Sequence, residues 1–368
     1  MLERLLLSRF RNHRETALEG TAQFNLLVGE NGAGKTNVLE AISLLSPGRG
    51  LRRAALADVP SQQGDGGFGV SAALITPGGD PVRLGTGISP ERPGRRLVQV
   101  NGAESPALRL AEWLSIGWLT PAMDRLFVDS AGARRRFLDR LVLALRPDHA
   151  AHASRLESAL RERNKLLSDD RAPDPRWLDA IEQQIAEAGA MVAQARADMI
   201  ARLEARLLDL PEAPFARPSL AYEPGGPTEP EALAQALRES RPRERAAQRT
   251  LTGPHRDELR VMMAGKDQPA ADCSTGEQKA MLIALVLAHS QLVEELAKGG
   301  QGEQRPRLLL LDEVAAHLDP FRRAALFERL REGSAQVWLT GTELAPFDAI
   351  TGEAAVWRVS GGSVVREL

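Results

Sequence analysis

A glycine-rich stretch near the start of the sequence carries its clearest chemistry. Residues 29–36 read GENGAGKT, which fits the pattern G-x-x-x-x-G-K-[ST], and they directly follow the apolar run Phe24–Val28. Val38, Leu39 and Ile42 then recur at helical spacing, so the loop joins a predicted strand to a predicted helix. In that context glycines let backbone N–H groups converge on phosphate oxygens, and the helix N-terminus adds positive charge. The stretch therefore predicts a phosphate-binding loop (P-loop); a chance glycine turn is the alternative.

Each residue of this loop is a candidate for nucleotide binding. In the P-loop pattern the lysine, here Lys35, reaches the β- and γ-phosphates, and the hydroxyl of Thr36 ligates Mg²⁺. The candidate binding residues are Gly29, Glu30, Asn31, Gly32, Ala33, Gly34, Lys35 and Thr36.

An acidic pair ends a second apolar run. Leucines occupy positions 308–311 and are followed by Asp312 and Glu313. A strand this apolar is expected to be covered on both faces, which places the two carboxylates at its tip. Asp312 would hold Mg²⁺, directly or through water, and Glu313 would polarise an attacking water as general base. With Lys35 they are the predicted catalytic residues, and an acidic N-cap on the next helix is the alternative.

A small polar turn, Ser274 to Gln278 (STGEQ), stands in front of the apolar helical run Lys279–Leu292. The Ser274 hydroxyl and the backbone N–H groups of Gly276 and Glu277 would face outward from a helix N-terminus, which attracts anions. Because the chain already has a phosphate cradle, this second anion site suits a nucleotide held by another copy of the chain. The alternative is a capping box between Ser274 and Glu277.

The elements that must position these groups form an α/β pattern interrupted by helices. Apolar residues at mostly three- and four-residue spacing predict a long helix over 178–207, and Leu156, Leu160 and Leu167 mark a shorter one before it. We interpret the two as an antiparallel helical arm; an ordinary bundle helix is the alternative. The predicted organisation is a head formed by 1–125 and 250–368 with an arm domain, 126–249. Strands are predicted at Leu2–Phe10, Phe24–Val28, Phe68–Ile75, Leu97–Val100, Leu308–Leu311 and Val337–Leu339.

Composition excludes several classes of protein. The chain has 368 residues and a formal net charge of −2, so it is not a uniformly basic nucleic-acid binder. One cysteine, Cys273, excludes a disulfide framework and fits a reducing cytoplasm. The N-terminal apolar run is too short for a signal peptide, and no stretch is expected to span a membrane.

A series of motifs resembles one family nearly end to end. The polar turn resembles the signature motif of ATP-binding-cassette (ABC) ATPases, and HLDP, 317–320, looks like their dimer-contact loop. The span from Lys35 to Ser274 is longer than in transporter cassettes and shorter than in long-armed SMC proteins. The whole resembles the RecF family of SMC-like ATPases in the order of LLSRFRNHRE, NGAGKTNVLEAISLLSPGRGLR, LTPAMDRLF, RRRFLDRLV, RERNKLL, TGPHRDEL and STGEQKAMLIAL.

This resemblance implies an α/β fold, an ABC/SMC-like P-loop ATPase head with an inserted antiparallel helical arm. Members of the family are cytoplasmic proteins that bind ATP with Mg²⁺, form homodimers head to head, and bind double-stranded DNA near single-strand gaps. They help RecR and RecO to load RecA in gap repair, and they serve DNA replication, recombination and the SOS response. Hydrolysis in the family is slow and releases the dimer.

The family's functional residues carry over to matching positions. By this resemblance the P-loop binds ATP, and Ser274, Gly276, Glu277 and Gln278 complete the site of the partner copy. Arg11 and Asn12 stand where SMC-like heads bring an arginine toward the nucleotide.

Two departures from the wider cassette pattern stand out. WLTPAMDRLF contains no glutamine where the Mg²⁺-sensing loop is expected, and TGTE, 340–343, stands where a switch histidine is expected. Thr340 or Thr342 would then contact the γ-phosphate more weakly, which fits slow turnover. A transporter subunit, a scaffold that binds ATP without cleaving it, and a head with an attached nuclease are the rival functions. The first lacks its switch histidine, Glu313 argues against the second, and the third lacks an extra domain.

DNA binding by a chain of near-zero net charge requires local groups of arginine. Solvated surface or intramolecular ion pairs are the alternative for each group. Aromatic residues are not interleaved with them, so contacts should be mostly to phosphates. The candidates are Arg49, Arg52 and Arg53; Arg92, Arg95 and Arg96; Arg134, Arg135 and Arg136; and Arg241, Arg243, Arg245 and Arg249.

Overall fold

A computed structural model describes the chain except residues 63, 93, 172, 212, 301–303 and 368. The described backbone divides into two compact units, one formed by Met1–Met123 with Val293–Leu368 and the other by Asp124–Leu292. The predicted arm, 126–249, lies inside the second unit. The predicted division assigns 250–368 to the head formed with 1–125, whereas the second unit extends to Leu292. The predicted division stays a prediction.

The chain begins with strands, continues with helices, and ends with alternating strands and helices. Strands β1, β3, β4 and β6 have the bounds predicted from the sequence. The strands are β1 (Leu2–Phe10), β2 (His13–Glu19), β3 (Phe24–Val28), β4 (Phe68–Ile75), β5 (Pro81–Ile88), β6 (Leu97–Val100), β7 (Ala103–Glu104), β8 (Ser115–Leu119), β9 (Pro218–Glu223), β10 (Glu258–Met263), β11 (Gln268–Pro269), β12 (Arg307–Leu311), β13 (Gln336–Gly341), β14 (Ala354–Ser360) and β15 (Ser363–Arg366). The helices are α1 (Lys35–Ser43), α2 (Leu110–Trp113), α3 (Ala131–Leu143), α4 (His149–Leu167), α5 (Pro175–Leu208), α6 (Pro230–Ala246), α7 (Thr275–Lys298), α8 (Pro320–Glu332) and α9 (Asp348–Thr351).

One sheet of the first unit is antiparallel, with strands in the order β2-β1-β4-β5-β6-β7. Its residues alternate between core and surface. In β4, Phe68, Val70, Ala72 and Leu74 are buried, whereas Ser71 is exposed. This period of two places one face on the core and leaves the other face partly exposed.

The second sheet of this unit positions the chemistry. Its order is β15-β14-β3-β13-β12-β8, and β14, β3, β13, β12 and β8 run parallel to one another. Every residue of β3 is buried, and Trp338 of β13 stacks on Trp357 of β14 with ring centroids 5.5 Å apart. The carboxyl ends of parallel strands meet at one edge of a sheet. The P-loop after β3 and the acidic pair after β12 therefore come together at that edge.

The second unit contains the predicted antiparallel helix pair. Trp177, at the start of α5, donates a hydrogen bond to Glu162 near the end of α4 (3.3 Å). Arg146, just before α4, pairs with Asp198 far along α5 (2.6 Å), so the two helices run in opposite directions. Helix α6 also packs on α5, and strands form a small sheet in the order β11-β10-β9. Neither α6 nor this sheet was predicted from the sequence.

A buried ion network joins the three helices. The Arg163 side chain on α4 is fully buried and donates hydrogen bonds to Glu182 on α5 (2.9 and 3.0 Å) and to Glu244 on α6 (2.5 Å). Arg163 also donates to the hydroxyl of Thr250 and to the carbonyl of Leu237. Buried charges are tolerated only when they are paired and hydrogen-bonded, so this network fixes how α4, α5 and α6 pack.

The motif TGPHRDEL, 252–259, is anchored by a second network in the same unit. The buried Asp257 accepts hydrogen bonds from Arg196 (2.8 Å) and from the backbone N–H of Gly225 (2.8 Å). Arg196 also binds both carboxylate oxygens of Asp139 (2.8 and 2.9 Å). Burial alone would raise the pKa of Asp139, but Arg196 and a hydrogen bond from His149 lower it to about 2. The motif therefore ties β10 to α5.

Helix α7 is unusually apolar, whereas the sequence analysis expected no segment that could span a membrane. By length and composition it could cross a membrane, with a mean hydropathy of 1.5 in its most apolar window. However, 67% of that window is buried inside the protein. Core helices of soluble proteins have this character, so the helix is weak evidence for a membrane span.

Candidate functional site

The P-loop curves tightly against neighbouring backbone. A side chain at Gly29 would place its Cβ 2.1 Å from the carbonyl oxygen of Val359, and one at Gly34 would lie 2.8 Å from the side chains of Asn12 and His13. Gly34 also has φ 119°, a conformation that favours glycine. These close approaches fit a cradle that turns backbone N–H groups toward a phosphate. Glu30, Asn31 and Gly32 are exposed, whereas Gly29, Ala33, Gly34 and Lys35 are buried.

The Lys35 side chain is held by the loop itself. Its Nζ donates hydrogen bonds to the carbonyl oxygens of Gly29 (2.6 Å) and Glu30 (2.8 Å). Burial lowers the pKa of Lys35, and the nearby carboxylates of Glu313 and Asp312 oppose that shift. The ammonium group therefore lies inside the P-loop, close to the acidic pair.

Asp312 is the centre of the hydrogen-bonding network at the edge of the parallel sheet. Its carboxylate accepts hydrogen bonds from the hydroxyl of Thr36 (2.9 and 3.1 Å) and from the hydroxyl of Thr340 (2.8 Å). Burial raises the pKa of Asp312, and the two hydroxyl hydrogen bonds oppose the shift. A hydroxyl and a carboxylate are hard oxygen donors of the kind that Mg²⁺ prefers. The arrangement fits the Mg²⁺ site predicted at Thr36 and Asp312.

Glu313 adopts an unusual backbone conformation beside this site. Its φ is 54°, and its backbone N–H donates a hydrogen bond to the hydroxyl oxygen of Thr340 (2.9 Å). Residues held in sparsely populated backbone regions often belong to functional sites. The Thr340 hydroxyl orients both acids, a role that the sequence analysis missed. Because its proton is given to Asp312, Thr340 has no second proton for a γ-phosphate; the exposed Thr342 stays a prediction.

The turn between β1 and β2 lies against the P-loop. Asn12 donates a hydrogen bond to the carbonyl oxygen of Ala33 (3.0 Å), so this predicted residue touches the loop directly. Arg11 instead donates two hydrogen bonds to Glu40 (2.6 and 2.9 Å), whose side chain is 1% exposed. Glu40 lies within the motif NGAGKTNVLEAISLLSPGRGLR, but the sequence analysis did not predict that it binds Arg11.

The Ser274–Gln278 turn belongs to the second unit and forms a capping box. The Ser274 hydroxyl donates to a carboxylate oxygen of Glu277 (2.9 Å) and accepts from the Glu277 backbone N–H (3.3 Å). A hydrogen bond from Lys266, with those from Ser274, lowers the pKa of Glu277 to about 2. Helix α7 therefore begins at Thr275, earlier than predicted. The capping box, which the sequence analysis gave as the alternative, is present.

The capping box leaves the outer side of the turn accessible. Ser274 and Gly276 are exposed. Among the described residues, no atom other than those of the adjoining residues and of the backbone of α7 itself lies within 4 Å of the position that a Cβ on Gly276 would occupy. Gln278 is buried and donates to the carbonyl of Cys273 (2.8 Å), so it braces the turn from behind. Whether the turn meets a nucleotide of another copy stays a prediction.

Several predicted DNA contacts have intramolecular partners instead. Arg134 binds both carboxylate oxygens of Glu258 (2.7 and 2.8 Å), and Arg241 is paired with Glu182 and Asp179. Arg96 is half-buried and donates to the hydroxyl of Thr86 (2.8 Å) and to the carbonyl of Gly48 (2.6 Å), and burial lowers its pKa to about 10. Arg52 pairs with Glu40 and Arg95 with Glu104, so the ion-pair alternative holds for one or more members of all four groups. Members that remain exposed are Arg49, Arg52, Arg53, Arg92, Arg95, Arg136, Arg243 and Arg249.

A P-loop after one parallel strand and an acidic pair after another define the ATPase head of the ABC and SMC class. A family model described as the RecF/RecN/SMC N terminal domain matches residues 1–345. The chain is 46% identical to the DNA replication and repair protein RecF of Mesorhizobium japonicum, over 99% of this chain and 97% of that protein. It is likewise 46% identical to the protein of the same name from Brucella suis, over 99% of this chain and 95% of that protein. The chain belongs to the RecF family.

Solved structures agree with this fold. A structure described as the recombination mediator protein RecF-ATP in the RecFOR pathway is similar with a TM-score of 0.85, at 22% identity over 100% of this chain and 97% of that chain. An Smc head domain derived from Pyrococcus furiosus has a TM-score of 0.55, at 18% identity over 100% and 96% of the two chains. At these identities the similarity concerns the fold. It confirms the predicted SMC-like ATPase head.

Proposed function

We propose that the protein is an ATP-dependent DNA-binding protein of gap repair and recombination. ATP held in the P-loop closes a head-to-head homodimer, which binds double-stranded DNA and junctions with single-strand gaps. The dimer cooperates with RecO and RecR in loading RecA, and it acts in the cytoplasm. The observation that carries this proposal is the contact of Thr36 with Asp312, which joins the P-loop to the acidic strand as an Mg²⁺ site requires.

Each residue at this edge has a role in the proposal. The P-loop N–H groups and Lys35 bind the phosphates, and Thr36 and Asp312 hold the metal. Bound by Thr36 and Asp312, Mg²⁺ would neutralise part of the negative charge of the phosphates. Glu313 accepts a proton from the attacking water as general base. Thr340 keeps both acids in place through its two hydrogen bonds.

Slow turnover follows from the same residues. The hydroxyl of Thr340 is committed to Asp312, and no histidine follows β13 to contact the γ-phosphate. A site with one general base and few groups that bind the γ-phosphate is expected to hold ATP for a long time before cleaving it. Hydrolysis, stimulated by DNA, then releases the dimer. A scaffold that never cleaves ATP is the alternative, and single-turnover assays with and without DNA distinguish the two.

The exposed turn at Ser274 completes the site of the partner copy in this proposal. The Glu277 N–H, predicted to face outward, donates to Ser274 instead, but the N–H of Gly276 at the start of α7 suits an anion, and Gly276 leaves room for a close approach. The family relationship supports this role, because ABC and SMC heads share the signature position.

Replacing Ser274 with arginine tests the composite site. We expect ATP with Mg²⁺ to convert the wild-type protein from monomer to dimer in light scattering, and Ser274→Arg to remain monomeric because the side chain blocks the turn. Gln184→Arg is the matched control: it adds the same charge at an exposed position of α5 and should dimerise normally. ATP-induced dimers of Ser274→Arg, at the wild-type ATP concentration, would contradict the proposal.

A further inference from the structure

The carboxylate of Glu277, in the turn before α7, is bound from two sides. One of its oxygens accepts hydrogen bonds from the backbone N–H of Ser274 (3.0 Å) and from the Ser274 hydroxyl (2.9 Å). The other oxygen is paired with the ammonium group of Lys266, which lies in the turn between β10 and β11. Glu277 therefore joins the turn at the start of α7 to the β10–β11 hairpin.

The hydroxyl proton of Ser274 is used inside the turn. The pKa of Glu277 is lowered to about 2, so its carboxylate is ionised and accepts that proton. A serine hydroxyl has one proton to donate. For Ser274 to donate to a phosphate oxygen of a nucleotide, its hydroxyl must first rotate away from Glu277. The carboxylate of Glu277 then keeps the Ser274 N–H and Lys266 as its partners.

The negative charge of Glu277 opposes the approach of a nucleotide to this turn. Glu277 follows Gly276, whose N–H suits an anion, and a carboxylate at that place repels phosphate oxygens. The same carboxylate is needed in the turn, because it anchors Ser274 through two hydrogen bonds. The ammonium group of Lys266 supplies the opposite charge. An ion pair repels an anion much less than a carboxylate without a partner does.

The backbone of the hairpin turn holds Lys266 in place. Its neighbours Gly265 and Asp267 have positive φ values of 84° and 47°, as tight turns between paired strands require. The backbone N–H of Lys266 donates to the carbonyl of Met263 at the end of β10 (3.3 Å). The side chain of Lys266 is half exposed, so its ammonium group is accessible from solvent as well as paired.

Further hydrogen bonds connect the hairpin to the start of α7. The side-chain amide of Gln268 on β11 donates to the carbonyl of Asp272 (2.8 Å). The side-chain amide of the buried Gln278 donates to the carbonyl of Cys273 (2.8 Å). These bonds hold the hairpin against the turn, so the ammonium group stays within reach of its carboxylate partner.

We propose that Lys266 is a positioning residue of the composite nucleotide site: it keeps Glu277 paired and offsets its charge, so that Ser274 can turn its hydroxyl to the terminal phosphate of a nucleotide held by another copy. This inference rests on the proposed function, because it requires that the turn meet that nucleotide. Lys266 needs no contact with the phosphate itself. Its removal should weaken the ATP-dependent dimer and leave nucleotide binding by the P-loop of a monomer unchanged.

Two dissociation constants of Lys266→Gln test this proposal. Light scattering over a range of protein concentrations, with a saturating non-hydrolysable ATP analogue and Mg²⁺, gives the dissociation constant of the dimer. Fluorescence of a labelled analogue, at protein concentrations too low for dimers, gives the affinity of the P-loop. We expect the dimer to be weakened about five- to tenfold, as one uncompensated charge beside an anion predicts, and the P-loop affinity to stay within about twofold of wild type.

Combining Lys266→Gln with Glu277→Gln separates the effect of charge from the effect of shape. The side-chain oxygen of a glutamine at 277 still accepts from Ser274, but no carboxylate remains to repel the phosphate. We expect the double variant to dimerise within about twofold of Glu277→Gln alone, because the two residues act through one interaction. If the double variant is weaker than Glu277→Gln by the same factor as Lys266→Gln is weaker than wild type, the inference is overturned.

Lys298→Gln is the matched control, because Lys298 is an exposed lysine that pairs with another glutamate of α7, Glu294 (2.8 Å). Its dimer should have the wild-type dissociation constant. A wild-type dimer in Lys266→Gln overturns the inference. Weak binding of the analogue by monomeric Lys266→Gln also overturns it, because Lys266 would then act on the P-loop of its own chain. If the wild-type protein forms no ATP-dependent dimer, the proposed function itself fails.

Discussion

Glu313→Gln is expected to reduce ATP hydrolysis about 10²- to 10⁴-fold, the usual contribution of a general base, while ATP binding and the ATP-dependent dimer are retained. The amide has nearly the shape of the carboxylate but accepts no proton from water. The backbone at Glu313, with its hydrogen bond to Thr340, should not change. Single-turnover hydrolysis measures the rate, and light scattering measures how long the dimer lasts.

Glu343→Gln is the control for this experiment. Glu343 is an exposed glutamate just beyond β13, the strand next to β12. Like Glu313, it is therefore a glutamate that follows a strand of the parallel sheet. We expect it to hydrolyse ATP at the wild-type rate. An unchanged rate in Glu313→Gln would show that another group takes the proton, and the assignment of the acidic pair would be wrong.

Arg163→Met is expected to have the largest effect on stability. It leaves the buried carboxylates of Glu182 and Glu244 without their shared cation, and breaking a buried pair in this way costs about 3–5 kcal/mol. Glu182 retains its bonds to Arg241, whereas Glu244 retains backbone N–H donors from Leu251 and Thr252. Urea unfolding, with hydrogen exchange of α4, α5 and α6, measures the loss and locates it in the second unit.

Two comparison variants sharpen this test. Arg161→Met removes an exposed arginine of the same helix, whose i,i+4 partner Glu157 lies 3.5 Å away. Exposed pairs of this kind contribute about 0.3–0.5 kcal/mol. Adding Glu182→Gln and Glu244→Gln to Arg163→Met should restore part of the lost stability, because no buried charge then lacks a partner. Equal losses in Arg163→Met and Arg161→Met would contradict the structural role of the network.

The site was largely predictable from the sequence because its signals are local. The P-loop pattern lies within eight residues between a strand and a helix, and the acidic pair follows four leucines directly. The bounds of β1, β3, β4 and β6 followed from alternation or apolar runs ended by turn residues. That these elements meet at one edge follows from the parallel order of β3, β13 and β12.

What the sequence could not supply were partners far along the chain. Arg134 looked like a DNA contact, yet its partner Glu258 is 124 residues away. Glu40 belonged to a recognised motif, but only the folded β1–β2 turn shows that Arg11 binds it. Helix α6 begins at Pro230, where the sequence analysis predicted no helix. The sequence shows the charge of a side chain and the local effect of a proline. Which residue that side chain contacts depends on tertiary packing.

The division of the nucleotide site between two copies is the central claim, and mixing two inactive variants tests it most directly. Lys35→Ala lacks the ammonium group that binds the phosphates, and in Ser274→Arg the turn that would contact the partner's nucleotide is blocked. In a mixed dimer, the P-loop of the Ser274→Arg copy faces the intact turn of the Lys35→Ala copy, so one complete site forms. We predict that neither variant alone hydrolyses ATP and that hydrolysis returns when they are mixed. Two folded variants that stay inactive in the mixture, or a Ser274→Arg protein that is fully active alone, would contradict the claim.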